Sequence, residues 1–411
     1  MRRVAIVGAG LAGLSAARAL RAAGFTGDLT VVGAERHRPY DRPPLSKDFL
    51  RGTGEPCDLA LEKPAEDLAA TWLLGDPAVA LDPASGTLTL RRGQTVHADG
   101  FVVATGANAR ALPGTAGLAG VHTLRTLDDA IALRADLAGA RHLVVVGAGF
   151  IGAEIASTAR GLDRSLDITV VEALPAPLAG PLGEEMGAVV AALHENNGVR
   201  LLCGRGVAAL VASSDPSPGS EPAGSGSTAP RVSGVRLVDG TLLPADVVVV
   251  GIGAVPALDW VAGSGLVLDA SGGIRCGADG STGVAGVVAL GDCAAWFEPR
   301  VGRHVRVEHW TSASDRARTA VRTLLGSPSP PVRQPYFWSD QYGARIQFAG
   351  HALAGDDVTV EQGDPGEHRF LAVYRRAGHP VAVLAVDLVG PFAKWRRQLE
   401  TPPPAQPEEL T

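Results

Sequence analysis

Apolar runs broken by glycine and followed by alanine-rich segments occur twice along the chain, at residues 4–20 and 144–157. The two stretches read "VAIVGAGLAGLSAARAL" and "VVVGAGFIGAEIAS". Each predicts a buried strand, a tight glycine turn and the start of a helix. Each is followed by a second apolar run that ends in an acid, "LTVVGAE" and "DITVVEA". Two complete βαβ units are therefore predicted, each typical of a dinucleotide-binding domain.

The glycine spacing of both units matches the pattern that lets backbone amides approach a pyrophosphate. An acid follows the last glycine by 22 residues in the first unit and by 20 in the second, where it can bind a ribose. The candidate positions are Gly8, Ala9, Gly10, Ala12, Gly13 and Glu35, then Gly147, Gly149, Ile151, Gly152 and Glu172. Two such sites predict two dinucleotides, and a bound flavin with a diffusible nicotinamide gives hydride transfer.

Composition and charge narrow the class of protein. The 411 residues are 46% hydrophobic, enough for two or three domains, and the net charge of −6 argues against nucleic acid or an anionic membrane as a partner. The first strand starts within three residues, which leaves no room for a signal peptide, so we expect a cytoplasmic protein. The four cysteines form no close pair, and we expect neither a disulfide nor a metal site.

Further motifs give a resemblance to a known family. They are "DGFVVATGANARALP" (99–113), "GVAGVVALGDCAAW" (283–296), "RPYDRPPLSK", "VEHW" and "PYFWSDQYGARIQFAG". With them the chain resembles the ferredoxin reductases that serve oxygenases, which include the reductases of aromatic-ring dioxygenases and putidaredoxin and rubredoxin reductases. The resemblance runs from residue 2 to about residue 390. Residues 37–52 contain no cysteine, so a thiol relay like that of glutathione reductase is not expected.

The resemblance implies an α/β fold with two Rossmann-like dinucleotide-binding domains of the glutathione reductase type and a smaller α+β C-terminal domain. An FAD-binding domain is expected at 1–110 and 250–326, and an NAD-binding domain at 111–249. Within the latter, the Ser/Pro/Gly-rich segment 212–231 is expected to be flexible. A C-terminal domain is expected at 327–396 and a disordered tail at 397–411.

The resemblance also assigns cofactor-binding residues. The first glycine motif would bind FAD and the second NAD(P)H, with Gly251, Ile252 and Gly253 approaching the nicotinamide cofactor. Further FAD contacts would come from Arg42, Lys47, Val79, Ala104, Thr105, Gly106, Arg125, Gly291, Asp292 and Trp310. The Asp292 side chain would bind the ribityl chain, although it could also simply cap a helix. Trp310 would lie against the isoalloxazine, and the alternative is an ordinary core tryptophan.

Three residues are the candidates for catalysis: Lys47, Glu154 and Trp310. In the resembling family the lysine lies near the flavin N5 atom and pairs with the glutamate. Physical chemistry favours such a pair, because a cation stabilises a reduced, anionic flavin and a carboxylate holds that cation in place. The alternative is a helix first-turn acid and a solvated loop lysine.

The predicted function is an NADH:ferredoxin oxidoreductase, an FAD flavoprotein that passes electrons singly to a [2Fe–2S] ferredoxin. That ferredoxin would feed an oxygenase such as a cytochrome P450. NADH is favoured over NADPH because Glu172 would repel a 2′-phosphate, leaving Arg200 as the cation that could approach from a neighbouring strand.

The acceptor is the most open part of this prediction. Basic residues are candidates for steering an acidic ferredoxin, although each could be part of an ordinary solvated face. They include Arg316, Arg318, Lys394, Arg396 and Arg397. The alternatives are a rubredoxin or quinone reductase and a redox signalling flavoprotein like apoptosis-inducing factor. A monomer is expected.

Overall fold

The computed structural model describes residues 1–115, 117–213 and 230–400, which belong to two compact units. The first unit holds Met1–Arg42, Glu55–Asn108 and Ala254–Pro335. The second holds the described residues of Pro43–Gly54, Ala109–Gly253 and Tyr336–Thr411. Residues 214–229 of the predicted flexible segment and 401–411 of the predicted tail lie outside the described residues.

The described residues form eight α-helices and twenty-six strands. The helices are α1 (Leu11–Ala22), α2 (Asp48–Arg51), α3 (Leu127–Leu137), α4 (Phe150–Leu162), α5 (Ala179–Leu182), α6 (Glu184–Asn196), α7 (Trp310–Leu324) and α8 (Val389–Glu400). The strands are β1 (Arg3–Val7), β2 (Asp28–Gly33), β3 (Ala70–Leu74), β4 (Ala78–Asp82), β5 (Thr87–Leu90), β6 (Thr95–His97), β7 (Gly100–Val103), β8 (Ala107–Ala109), β9 (Val121–His122), β10 (His142–Val146), β11 (Asp167–Val171), β12 (Arg200–Leu202), β13 (Val207–Ser213), β14 (Arg231–Leu237), β15 (Leu242–Pro244), β16 (Val247–Val250), β17 (Ala254–Pro256), β18 (Ile274–Cys276), β19 (Val287–Ala289), β20 (Ala294–Glu298), β21 (Arg303–Arg306), β22 (Tyr336–Gln341), β23 (Ala344–Gly350), β24 (Asp357–Asp364), β25 (Arg369–Arg376) and β26 (His379–Val386).

A five-stranded parallel sheet forms the centre of the first unit, in the order β19-β7-β1-β2-β3. Its strands are apolar on both faces, as in parallel sheets covered on both sides. Val7 of β1 is in register with Val32 of β2 and Val103 of β7, so the strands end together. The loops after these strands therefore start from one edge, where α/β sheets bind their ligands.

The second unit repeats this arrangement with the order β12-β11-β10-β16-β9, again parallel. Val146 of β10 is in register with Val171 of β11 and Val250 of β16. The loops that follow carry the second glycine motif, its acid and the predicted Gly251 turn. Both predicted βαβ units are confirmed.

The C-terminal part of the second unit is a five-stranded antiparallel sheet in the order β22-β23-β26-β25-β24, followed by α8. This sheet and helix confirm the predicted α+β character of the C-terminal part. Helix α8 continues to Glu400, so the structure corrects the predicted start of the tail at residue 397. The physical reason is that Phe392 and Leu399 are buried with Leu371 and Val383 of the sheet, which holds the last turn in place.

Smaller antiparallel sheets complete the two units. The sheets β4-β5-β6 and β18-β20-β21 lie in the first unit, and β13-β14-β15 lies in the second. All their strand pairs are antiparallel except β18 with β20, which is parallel. Strand β13 ends at Ser213 and β14 begins at Arg231, so both ends of the predicted flexible segment belong to strands.

The three predicted domains stay a prediction. The two compact units assign the segment around the "PLSK" motif differently from the predicted domains. The segment Pro43–Gly54, expected in the FAD-binding domain, belongs to the second unit. Its Leu50 is fully buried among Leu133 and Ile155, and Thr158 of α4 donates a hydrogen bond to the Ser46 carbonyl at 2.8 Å. The "PLSK" segment therefore packs with the second glycine motif.

Candidate functional site

The first glycine turn is shaped by close backbone contacts. Gly8 has φ +122°, and a Cβ there would lie 2.0 Å from the Ala104 carbonyl oxygen. A Cβ on Gly13 would lie 1.8 Å from the Gly8 carbonyl oxygen, so only glycine lets α1 approach the strand. A Cβ on Gly10, by contrast, would meet nothing within 4 Å. That open space at the start of a helix is what a phosphate group needs.

The second glycine turn has the same geometry. Cβ atoms on Gly147 and Gly152 would lie 2.4 Å from the Gly251 oxygen and 2.2 Å from the Gly147 oxygen, whereas Gly149 faces open space. Ile151 is exposed beside it. Among the described residues no side chain caps α1 or α4, so the first backbone amides of both helices are available to a ligand. Both turns thus fit a dinucleotide pyrophosphate.

The two predicted ribose-binding acids have different partners. Glu35 accepts hydrogen bonds from the Tyr40 hydroxyl at 2.5 Å and from the Arg42 guanidinium at 2.7 Å. Glu172 instead accepts two backbone N–H groups, of Ala148 and Leu174, each at 2.9 Å. The first acid is therefore paired with a cation, and the second is held by backbone N–H groups, one of them in the glycine turn.

Arg200, the cation that could have approached a 2′-phosphate, has another partner. Its Nε and Nη2 atoms donate to the Thr169 hydroxyl at 3.0 and 2.7 Å. Thr169 is opposite Arg200 in the sheet and lies three residues before Glu172. The guanidinium therefore binds a side chain in the middle of β11 and does not lie at the carboxyl end of that strand, where Glu172 follows.

Several further predicted FAD contacts lie around the first glycine turn. Ala104 lies beside Gly8, and Thr105 donates a hydrogen bond to the Ala257 carbonyl at 2.9 Å, just before Gly106. The Gly291 backbone lies near Ala12, since a Cβ there would be 3.0 Å from the Ala12 Cβ. Asp292 is the middle residue of a short 3-10 helix, Gly291–Cys293, whose N-cap is Leu290, so the alternative of a helix-capping aspartate is wrong.

The remaining predicted contacts lie elsewhere in their units. Val79 is exposed in β4, within the sheet β4-β5-β6 of the first unit. Arg125 precedes α3 in the second unit, where its backbone N–H donates to Asp129 at 3.0 Å. In the Gly251-Ile252-Gly253 turn, Gly251 lies against Gly147 as expected, and the Gly253 carbonyl accepts the Arg110 N–H at 2.9 Å.

Lys47 and Glu154 form a buried ion pair. The Lys47 Nζ atom lies 2.5 Å from Glu154 Oε2, and the two side chains are 17% and 3% exposed. Ser46 donates to the same carboxylate oxygen at 2.5 Å, and Ser339 donates to Oε1 at 2.6 Å. The alternative of a solvated loop lysine is therefore wrong. We call Ser46, Lys47, Glu154, Ser339 and Gln341 the buried charge cluster.

Sequence reasoning missed the serines of this cluster. Ser46 stands next to Lys47 in "PLSK", so its proximity could have been anticipated. Ser339 and Gln341 are 185 and 187 residues from Glu154, and no periodicity or spacing connects them. Only the packing of β22 against α4 brings them together, as the hydrogen bond between Ser339 and Glu154 shows.

Trp310 and Arg316 both lie on α7, but one is partly exposed and the other is buried. Trp310 is 37% exposed and its indole N–H donates to Asp41 at 2.7 Å, so it is not an ordinary core tryptophan. Arg316, a candidate for steering a ferredoxin, is only 4% exposed. Its guanidinium lies 4.9 Å from the centre of the Trp296 ring, and burial lowers its pKa to about 10. The prediction for Arg316 is wrong, because its place on α7 faces the core.

The other predicted basic residues are more accessible. Arg318, Lys394 and Arg397 are exposed, and Arg396 is half-buried with its guanidinium 4.2 Å from the centre of the Tyr336 ring. They can contribute to the electrostatic field at the surface.

All four cysteines are free, as predicted. Cys57 is exposed, Cys203 is half-buried, and Cys276 and Cys293 are buried. Burial raises the pKa of the Cys293 thiol to about 11 and raises that of Cys276 further, which disfavours a reactive thiolate at either position. None of the described helices combines the length and the hydropathy needed to span a membrane.

Comparison with known families places the chain. The model described as pyridine nucleotide-disulphide oxidoreductase matches residues 2–317, and that of the reductase C-terminal domain matches residues 336–411. The chain belongs to the pyridine nucleotide-disulphide oxidoreductase family, with a reductase C-terminal domain. This membership confirms the predicted fold class, the oxidoreductase class and the cofactors, FAD and NAD(H).

Individual relatives carry more specific names. The chain is 38% identical to the 5,5'-dehydrodivanillate O-demethylase ferredoxin reductase subunit of Sphingobium sp., over 95% of this chain and 91% of that protein. It is 36% identical to rhodocoxin reductase of Rhodococcus erythropolis, over 99% and 91%. The structure matches putidaredoxin reductase in its covalent complex with putidaredoxin at a TM-score of 0.89, with 30% identity over 97% and 93% of the two chains. The resemblance to oxygenase-serving ferredoxin reductases is confirmed.

Proposed function

We propose that the protein is an NADH:ferredoxin oxidoreductase, which carries electrons from NADH through FAD to a [2Fe–2S] ferredoxin that feeds an oxygenase. The observation that carries the proposal is the pair of open glycine cradles, at Gly10 and Gly149, combined with a buried lysine behind the second one. The names of the relatives support the acceptor, since they are ferredoxin reductase components of oxygenase systems.

The first unit holds FAD in this proposal. The amides at the start of α1 face its pyrophosphate, and Glu35, held by Tyr40, receives a ribose hydroxyl. The Arg42 guanidinium is fixed by Glu35 and so presents a cation beside the same site. The roles of Val79, Arg125, Asp292 and the other FAD contacts named above remain part of this proposal.

The second unit binds NADH. Glu172 is held with its carboxylate beside Ala148 of the glycine turn, which suits a ribose with a free 2′-hydroxyl and repels a 2′-phosphate. Arg200 would have to leave Thr169 to neutralise that phosphate. These two arrangements support the proposed preference for NADH over NADPH.

The buried charge cluster supplies electrostatics to the reaction. When bound, FAD accepts two electrons from the nicotinamide and releases them one at a time. Lys47 provides a cation that stabilises negative charge on the reduced cofactor, and Glu154 keeps its ammonium group in one position. We assign Trp310 to the flavin environment, because its ring is accessible and its orientation is fixed by Asp41.

The acceptor is an acidic ferredoxin in this proposal, and the exposed cations Lys394 and Arg397 on α8 are candidates for attracting it. We further propose a monomer that works in the cytoplasm, where NADH is plentiful. Rubredoxin, a quinone or a signalling partner are the competing acceptors, and the test below separates them.

The test is an anaerobic absorbance titration with NADH, followed by an oxidised [2Fe–2S] ferredoxin from an oxygenase system. Bleaching of the flavin band and rapid ferredoxin reduction are expected, and NADPH should act much more weakly. A flavin that NADH reduces but that rubredoxin or a quinone alone reoxidises would reassign the acceptor. A slow turnover with NADH-dependent dimerisation would instead support redox signalling, and a protein that binds no flavin would overturn the proposal.

A further inference from the structure

The Glu154 carboxylate receives more donors than an ion pair requires. Lys47 and Ser46 approach Oε2, each at 2.5 Å, and Ser339 approaches Oε1 at 2.6 Å. Ser46, Glu154 and Ser339 are 2%, 3% and 0% exposed, so water does not compete for these hydrogen bonds. Both carboxylate oxygens are therefore fixed, and so is the direction in which Oε2 faces the lysine.

The proton of Ser339 has a defined direction. A serine hydroxyl has one proton and can accept one or two hydrogen bonds. The Gln341 amide, 1% exposed, donates to Ser339 Oγ at 3.1 Å. The Ser339 proton is thereby left for Glu154, and the donors run from Gln341 through Ser339 to the carboxylate.

Lys47 depends on this carboxylate for its place. Its other two hydrogen bonds are longer, 3.2 Å to the Pro43 carbonyl and 3.4 Å to Ser46 Oγ. Both come from its own short segment, whereas Glu154 belongs to α4. If Glu154 rotates, the short contact at 2.5 Å is the one that the ammonium group loses.

Ser339 belongs to β22, within the part of the chain that matches the reductase C-terminal domain. We propose that Ser339, supported by Gln341, is a positioning residue for the reductase reaction: it holds Glu154 and, through it, Lys47. This inference rests on the proposed role of Lys47 in flavin reduction. It gives the C-terminal sheet a part in the first half of the reaction, reduction by NADH, and not only in acceptor recognition.

The experiment is a double-mutant cycle on the FAD-loaded protein, read by stopped-flow flavin reduction at saturating NADH. Ser339→Ala should slow reduction about tenfold and leave the NADH Kd within about twofold, the cost of one lost donor to a buried carboxylate. In a Lys47→Met background, the same substitution should change the rate by less than about twofold, since residues that act as a unit are not additive. Equal losses in both backgrounds, or no loss in either, would overturn the proposal.

A second readout needs no electron transfer. Labelling of the Lys47 amine with acetic anhydride, followed by mass spectrometry, should be several times faster in Ser339→Ala than in the unaltered protein. Ser264→Ala is the matched control, because Ser264 is also buried and bonds only nearby backbone, with its hydroxyl donating to the Val261 carbonyl at 2.6 Å. Unchanged labelling of Lys47 would contradict the proposal.

Two checks separate the possible failures. Ser339→Thr keeps the hydroxyl and should restore both the rate and the slow labelling, whereas a rate that stays as low as in Ser339→Ala would count against a hydrogen-bonding role. Circular dichroism and FAD content establish that each variant is folded. If NADH fails to reduce even the unaltered, FAD-loaded protein, the proposed function falls, and the labelling result still decides whether Ser339 positions Lys47.

Discussion

The two βαβ units have the same backbone geometry at their glycine turns, but they differ at the residue two positions after the last glycine. In the first unit this residue is Ser15, half-buried on α1. In the second it is Glu154, 3% exposed and bound by a lysine and two serines. The backbone geometry explains why both units can bind a dinucleotide. At this one helix position the second unit has a buried charge where the first has a serine hydroxyl, and the partners of that charge come from distant parts of the chain.

The acids that end the second strand of each unit differ in the same way. Glu35 is bound by a tyrosine and an arginine, whereas Glu172 is bound by backbone amides alone. A carboxylate with an adjacent cation tolerates further negative charge, and one without a cation repels it. In the proposed function the first site holds FAD, and the carboxylate of the second, which has no adjacent cation, favours NADH over NADPH.

The largest expected effects come from filling the open positions of the two turns. Gly10→Ala should abolish stable FAD retention, because the methyl group occupies the space of the pyrophosphate without clashing with the protein. Gly149→Ala should leave FAD bound and weaken NADH binding by about 100-fold, roughly 3 kcal/mol. FAD content by absorbance and NADH affinity by titration measure the two effects.

Gly161→Ala is the control for these substitutions, since Gly161 lies in the last turn of α4, away from the glycine turn, and a Cβ there also meets open space. It should change neither cofactor and should raise stability slightly. If Gly10→Ala and Gly149→Ala affected the same cofactor, the assignment of the two units would be contradicted.

The second largest effect concerns the difference between Glu154 and Ser15. Lys47→Met should lower the rate of flavin reduction about 100-fold, the usual loss when one electrostatic stabiliser is removed. Ser15→Ala, at the equivalent place in the first unit, should change the rate by less than about twofold. Stopped-flow absorbance under anaerobic conditions measures both, with FAD content checked first. Equal effects of the two substitutions would remove the functional distinction between the units.

The units should also differ in their response to acid, which is the third prediction. His194 on α6 of the second unit is 2% exposed, and burial lowers its pKa to about 4. In the unfolded chain His194 binds a proton near pH 6.5, whereas in the folded protein it stays neutral until the pH approaches 4. The free energy of unfolding therefore falls as the pH drops from about 7 towards 4. Between pH 8 and pH 5 the loss is about 2 kcal/mol.

The first unit contains a pair that behaves differently. Arg18 donates to Glu66 and lowers the pKa of that carboxyl to about 2, so this contribution persists until the pH falls below about 4.5. Hydrogen exchange by mass spectrometry at pH 7 and pH 5, corrected for the intrinsic rate, should show faster opening in the second unit. His194→Gln should remove the difference, and faster opening of the first unit would contradict the prediction.

The residues that sequence could predict and those that it could not differ for a physical reason. Gly13 and Gly152 are required by contacts with the Gly8 and Gly147 carbonyls five residues earlier, so a local pattern records them. Gly8 and Gly147 also meet distant backbone, but the positive φ of the turn itself already calls for glycine at both positions. Ser339 reaches Glu154 across 185 residues, and no local rule records such a contact. Resemblance to a family supplied Lys47 and Glu154, but not the serines that hold them.

Arg316 illustrates the opposite error. In "SDRARTAV" the two arginines look equivalent, yet Arg316 is buried over Trp296 while Arg318, two positions further along α7, is exposed. Ala313 and Ala320, three positions before and four positions after Arg316, place it on the apolar face of α7, so helix periodicity separates the two arginines. The sequence could give the basic candidates only as a set. Which of them contribute to the electrostatic field at the surface depends on which side chains reach solvent, and that is decided by the fold.

The smallest expected effect sharpens the comparison of the two acids. Glu172→Gln keeps the acceptor oxygen for one backbone N–H and removes the charge, so it should lower the preference for NADH over NADPH about tenfold, mainly through a lower KM for NADPH. Arg200→Ala should leave that preference unchanged, because the guanidinium is engaged with Thr169. Steady-state kinetics with both nucleotides and a fixed electron acceptor measure the ratio. A higher KM for NADPH in the Glu172→Gln, Arg200→Ala double variant than in Glu172→Gln would mean that Arg200 leaves Thr169 and binds the 2′-phosphate once Glu172 is neutral. Glu172 would then select against NADPH in two ways, by repelling the phosphate and by keeping Arg200 away from it.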